Sequence, residues 1–151
     1  MSALLKSRTF FALIGFLVAL SFLSSASAQQ TASVHVTVLV ASRQGSDFDL
    51  DNDAYRDQLI QLFSYSSYHQ KKELRADLRK GDRTVVPLPD DYELILTLQD
   101  QEKGRIFLQA LIRKGRKQYV DSTLSILTPG VVFLGGPAIQ DGTLIIVLES
   151  H

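Results

Sequence analysis

Four aspartates alternate in the stretch SDFDLDND, at Asp47, Asp49, Asp51 and Asp53. Carboxylate oxygens at this density are the ligands Ca²⁺ prefers, and that ion is plentiful outside cells. An EF-hand loop counted from Asp47 would need glycine and glutamate where Asn52 and Gln58 stand. Ca²⁺ is thus the one cofactor these residues suggest, through an open acidic loop. The competing reading needs no metal. Asp51 or Asp53 precedes an apolar helical pattern and would serve as its N-cap, with acidic charge at the positive end of the helix dipole.

Histidine and hydroxyl chemistry has weaker support. His35, His69 and His151 share neither an i, i+4 nor an H-x-H spacing, and H-E-x-x-H is absent. No G-x-S-x-G elbow marks a nucleophile, so no residue is assigned a catalytic role. A hydrolase would require the fold to gather a histidine, an aspartate and a hydroxyl from distant positions.

Residues suited to partner contact are Tyr65 and Tyr68 in LFSYSSYHQ and the basic group Arg113, Lys114, Arg116 and Lys117. Tyrosine is enriched in protein interfaces, and the alternative is a helix-to-strand corner packed against the sheet with the hydroxyls in solvent. The basic group, together with Lys71, Lys72, Arg75, Arg79 and Lys80, could meet an anionic surface if both runs shared a face. The same charges also suit solvated turns and protected strand edges. With 16 basic and 16 acidic residues interspersed, nucleic acid is not an expected partner.

The glycine clusters near the end of the chain pose a different question. LGGP is followed by an apolar run and not by a helix, and Pro137 has no N–H to offer a phosphate. Gly135 and Gly136 therefore read as a bulge or bend in a sheet, and Asp141-Gly142 as a hairpin turn.

The elements that must hold these residues begin with a separate segment. Lys6 and Arg8, the apolar run 10–23 and the small-residue end SSASA have the layout of a secretory signal peptide over residues 1–28. The run is shorter than the roughly twenty residues a membrane-spanning helix needs. Residues 29–151 then suit a single domain, with a core stabilised by packing, because the chain has no cysteine.

In SVHVTVLVA, Val34, Val36, Val38 and Val40 alternate as in a strand with one apolar face. From Ala54 the period lengthens, and Tyr55, Leu59, Leu62 and Phe63 lie along one side of a helix ending within 64–67. Residues 68–78 are charged and read as an exposed or edge strand; 84–88 is a short edge strand ended by Pro87 and Pro89. Tyr92, Leu94, Leu96 and Leu98 alternate, 100–104 reads as a loop, and Ile106, Leu108, Ala110 and Ile112 alternate again. Lys114-Gly115-Arg116 turns the chain into a strand over 119–127, and 131–134 and 143–148 complete the pattern. About eight strands at this spacing predict a mainly β fold, an antiparallel β sandwich or small barrel with one amphipathic helix after the first strand. An α+β sheet is the alternative.

Residues 122–137, STLSILTPGVVFLGGP, resemble a stretch of the C-terminal β domain of bacterial secretins, the outer-membrane export pores. There a T-x-x-x-x-x-x-G strand pair precedes a Gly-Gly; the matching positions are Thr123, Gly130, Gly135 and Gly136. The resemblance implies a small envelope protein of related β topology, working beside an export or pilus machine, and brings no catalytic residues. The resulting expectation is a secreted or periplasmic, non-catalytic binding or assembly module with an envelope protein as partner. A small-ligand or Ca²⁺-binding carrier and a small secreted hydrolase are the alternatives.

Overall fold

The computed structural model describes residues 30–50 and 53–151. The signal-peptide segment 1–28 and the candidate ligand Asp51 lie outside the described residues. The fold is a β sandwich of two separate sheets, not a closed barrel. The first sheet has the order β2 (Phe48–Asp49), β3 (Ser67–Arg79), β1 (Thr31–Ser42), β9 (Gly142–Ser150), β8 (Gly130–Ile139). The second is a four-stranded meander of β4 (Arg83–Pro87), β5 (Tyr92–Glu102), β6 (Arg105–Lys114) and β7 (Lys117–Leu127). All pairings are antiparallel except the two-residue contact of β2 with β3.

The alternating residues meet between the sheets. Val34, Val36 and Val38 from β1, Leu94, Leu96 and Leu98 from β5, Ile106, Leu108 and Ile112 from β6, and Leu144, Ile146 and Leu148 from β9 are all fully buried in one cluster. Burying each such side chain is worth about 1.5–3 kcal/mol, so this layer is the main source of cohesion.

A second apolar cluster lies on the opposite face of the first sheet. Leu39 and Ala41 of β1, Ile145 and Val147 of β9 and Tyr68 of β3 are buried beneath Leu59 and the partly buried Phe48, Leu50, Tyr55 and Phe63. The covering segment is the connection between β1 and β3. It contains β2, a 3₁₀ turn (Asp53–Tyr55) and a single helix, α1 (Arg56–Leu62).

This helix is shorter than its apolar period implies, and it starts differently. Its N-cap is Tyr55, with no side-chain cap, so Asp53 is not the cap but part of the preceding 3₁₀ turn. Phe63 is already extended (φ −127°, ψ 135°), which ends the helix after two turns. Leu59 alone of the helix is buried, while Leu62, expected on the apolar side, is 60% exposed. The Leu59 oxygen accepts the Phe63 N–H (2.9 Å), and the Tyr68 hydroxyl adds to this end of the helix, donating toward the oxygens of Leu59 (3.0 Å) and Phe63 (3.2 Å).

The glycine cluster is a bulge. Pairing of β8 with β9 shifts register between Gly135 and Ala138. A Cβ on Gly136 would stand 3.0 Å from Leu144 Cβ and 3.4 Å from Ile112 Cδ1, so a side chain there would press on its neighbours where β8 approaches the interior. The β8–β9 turn falls one residue earlier than expected: Gln140 and Asp141 form it, and Gly142 (φ 148°) pairs with Ile139. Residues 100–102, expected in a loop, continue β5, and Lys103 and Gly104 alone make the turn.

Candidate functional site

The acidic stretch spreads along the rim of the covered face. Asp47 accepts the Tyr68 N–H through its backbone oxygen at 2.8 Å. Asp49 lies in β2 with a 78% exposed side chain, and Asp53 is exposed in the 3₁₀ turn. Asp47, Asp49 and Asp53 form no converging group of three ligands among the described residues.

Tyr65 and Tyr68 separate in role. Tyr68 is fully buried, so its ring and hydroxyl belong to the second cluster and are not available to a partner. Burial pushes its phenol above the usual tyrosine range. Tyr65 is half-buried at the border of the same cluster, its hydroxyl donating to Thr143 Oγ1 at 2.9 Å, and it lines an open groove with Arg43, His69 and Lys71. Sequence periodicity missed this division because both tyrosines lie beyond the helical pattern.

The basic residues at the β6–β7 tip are largely engaged within their own sheet. Arg113 pairs with Glu93 at 2.9 Å. Lys114 lies 5.1 Å from the Tyr92 ring centroid and Lys117 lies 5.0 Å from that of Tyr119. Arg116 is exposed at the turn. The other basic run follows β3 in the opposite sheet, where Lys80 turns to Asp100 at 3.1 Å, so the two runs are divided between sheets.

Two histidine constellations emerge from pairing. In the first, Ser67 Oγ stands 3.2 Å from His69 Nε2, and His69 Nδ1 lies 3.9 Å from Asp49. The order matches a nucleophile, base and orienting acid, but the geometry does not. Ser67 is fully buried, out of reach of a substrate, and 3.9 Å is too long for a hydrogen bond. Ser67 and His69 meet because alternate strand residues share a face.

The second constellation is tighter. β1 pairs with β9 so that His35 stands opposite Glu149. His35 Nδ1 is 3.1 Å from Glu149 Oε2, and His35 Nε2 is 2.6 Å from Glu73 Oε1. Gln70 Nε2 holds the other Glu73 oxygen at 3.1 Å. His151 shares the face of Glu149, with its ring centroid 6.4 Å from that of His35. This group sits where the cover over the sheet ends, beside a pocket of about 30 Å³ lined by Thr37, Leu39, Leu50 and Tyr55. Residue spacing could not reveal it, since His35 and Glu149 are 114 positions apart. The one local trace is Glu149-Ser150-His151, two ligand types two residues apart at the end of an apolar strand pattern.

The remaining feature is an edge. From Lys71 onward, β3 has no strand on its outer side among the described residues, because β2 pairs only with Tyr68 and His69. Lys72, Glu73, Arg75, Asp77 and Arg79 along it are exposed. Comparison of the chain with family models, with characterised proteins and with solved structures finds no match.

Proposed function

We propose that the chain is an exported, non-catalytic binding or assembly module of the bacterial cell envelope, accessory to a secretion or pilus-type machine, and that it takes a partner strand on β3. The reading rests on the open outer edge of β3, whose backbone groups from Lys71 onward face no neighbouring strand among the described residues. An extended partner segment would complete the ladder with main-chain hydrogen bonds, and alternate side chains would supply specificity. Lys72, Arg75 and Arg79 outnumber Glu73 and Asp77 there, which favours an acidic strand and discourages self-pairing. A carrier role is less well supported, because the space between the sheets is filled by fully buried side chains such as Val36, Leu96, Leu108 and Ile146. The buried Ser67 likewise weighs against the hydrolase reading.

Photo-crosslinking in intact cells tests this. A photoreactive residue at Lys72 or Arg75 should give a discrete adduct in the envelope fraction, and one at Thr123, on the other sheet, should not. The adduct should disappear when Lys72→Glu and Arg75→Glu are combined with a probe at Asp77. Retention of the chain in the cytoplasm, or equal labelling from β3 and Thr123, would overturn the proposal.

A further inference from the structure

We propose that His35, Glu149 and His151 form a binding site for a divalent transition-metal ion, with Zn²⁺ the ion that fits best and Glu73 as the positioning carboxylate. One potential ligand atom from each of the three residues lies within 4.8 Å of the other two. Ligands around tetrahedral Zn²⁺, at bond lengths near 2.0–2.1 Å, are spaced by about 3.4 Å. His35 Nδ1 and Glu149 Oε2, at 3.1 Å, already meet that spacing. His151 is exposed, so its ring can rotate over the short remaining gap.

The backbone explains the convergence. His35 and Glu149 are directly opposed on neighbouring strands, and His151, one residue past β9, brings its ring to the same side, 6.4 Å from that of His35 between centroids. The His151 N–H donates to the Ser33 oxygen at 3.3 Å, which keeps the chain alongside β1 past the last residue of β9. The site therefore needs no loop rearrangement.

The donor set selects the ion. Two imidazoles and one carboxylate suit Zn²⁺, Cu²⁺ or Ni²⁺, whereas Ca²⁺ and Mg²⁺ take oxygen ligands. His35 adds a further argument, since both of its ring nitrogens face carboxylates. A neutral imidazole has one N–H to donate. A metal on Nδ1, with the Nε2–H directed to Glu73, satisfies both sides of a neutral ring and is the usual outer-shell arrangement of a metal-bound histidine. The competing account places a second proton on the ring in place of the metal. Arg75, paired across from His35 on β3, is the nearby basic side chain in this row of the sheet. The adjoining pocket of about 30 Å³ can hold a water for the fourth position, since one water needs about 10–15 Å³.

The test uses the full chain without a histidine tag. Titration with Zn²⁺ should show one ion per chain, and Co²⁺ should give the visible absorption of tetrahedral coordination. His151→Ala, at an exposed position, should weaken Zn²⁺ binding by more than about tenfold, and Glu149→Gln should do the same. Glu73→Gln should weaken it by about 10–100-fold while keeping the stoichiometry and the tetrahedral Co²⁺ spectrum. Millimolar Ca²⁺ should not displace the ion. Absence of Zn²⁺ binding, unchanged affinity in His151→Ala, or displacement by Ca²⁺ would overturn the proposal.

Discussion

The two outer faces of the sandwich have opposite fates. On the first sheet, Leu39, Ala41, Ile145 and Val147 point outward and are buried under Phe48, Leu50, Tyr55, Leu59 and Phe63. On the second, the outward face mixes Val85, Ile95, Phe107 and Leu111 with Glu93, Thr97, Gln109, Asp121, Thr123 and Ser125, and no segment covers it among the described residues, although Ile95 is closed off by its own neighbours. Val85 on that face is 48% exposed. The difference follows from composition. A sheet face of contiguous Leu, Ile and Val needs a second layer, whereas one in which a few apolar side chains are interspersed with hydroxyls, amides and charges can face water. The chain supplies that layer once, through the connection between β1 and β3.

The largest test of this contrast is a matched pair of truncations. Ile145→Ala should cost about 2–5 kcal/mol in urea unfolding, as expected for a closed core position. Val85→Ala should change stability by no more than about 0.5 kcal/mol. Similar costs at both sites would mean that the covered face is not a second core. Gly136→Ala comes next. Its new Cβ would press on Leu144, so a loss of about 1–3 kcal/mol is expected, and a neutral effect would show that the bulge tolerates a side chain.

Tyr68→Phe is the finest probe. It removes a hydroxyl from the end of α1, and about 1 kcal/mol should be lost at neutral pH. The dependence on pH gives the sign. Because burial raises the Tyr68 phenol, the folded state holds the proton more firmly than the unfolded chain. That contribution is complete below the ordinary tyrosine pKa of about 10 and is lost as pH rises through the raised value. The advantage of the parent over Tyr68→Phe should therefore shrink in alkaline solution; a constant difference would place the hydroxyl in solvent.

Much of the interior was legible because alternation and burial coincide. Val34, Val36 and Val38, Leu94, Leu96 and Leu98, and Ile106, Leu108 and Ile112 alternate in sequence and meet between the sheets. Gly135-Gly136 was legible as a bulge because no helix follows it, and the charged run in β3 was legible as an edge. The second core was less visible. LIIVL, residues 144–148, has no alternation, the signature of a strand buried on both faces, but it does not say what lies above. Tyr68 was misplaced for the same reason: its burial depends on a cover that only tertiary contact creates. The histidine–carboxylate group was illegible, since β pairing, not spacing, brings Glu73 and Glu149 to His35.

The strand order of the first sheet also governs how the molecule can come into being. Residues 83–127 form a meander in which every pairing is with the next strand, whereas β1 obtains its partner β9 only from residues 142–150. Closing so long a loop carries an entropic cost that neighbouring hairpins avoid. A polypeptide emerging from its N-terminus can thus complete the meander while β1 still lacks one flank, and the sheet is completed only when β9, with β8 on its far side, docks along β1.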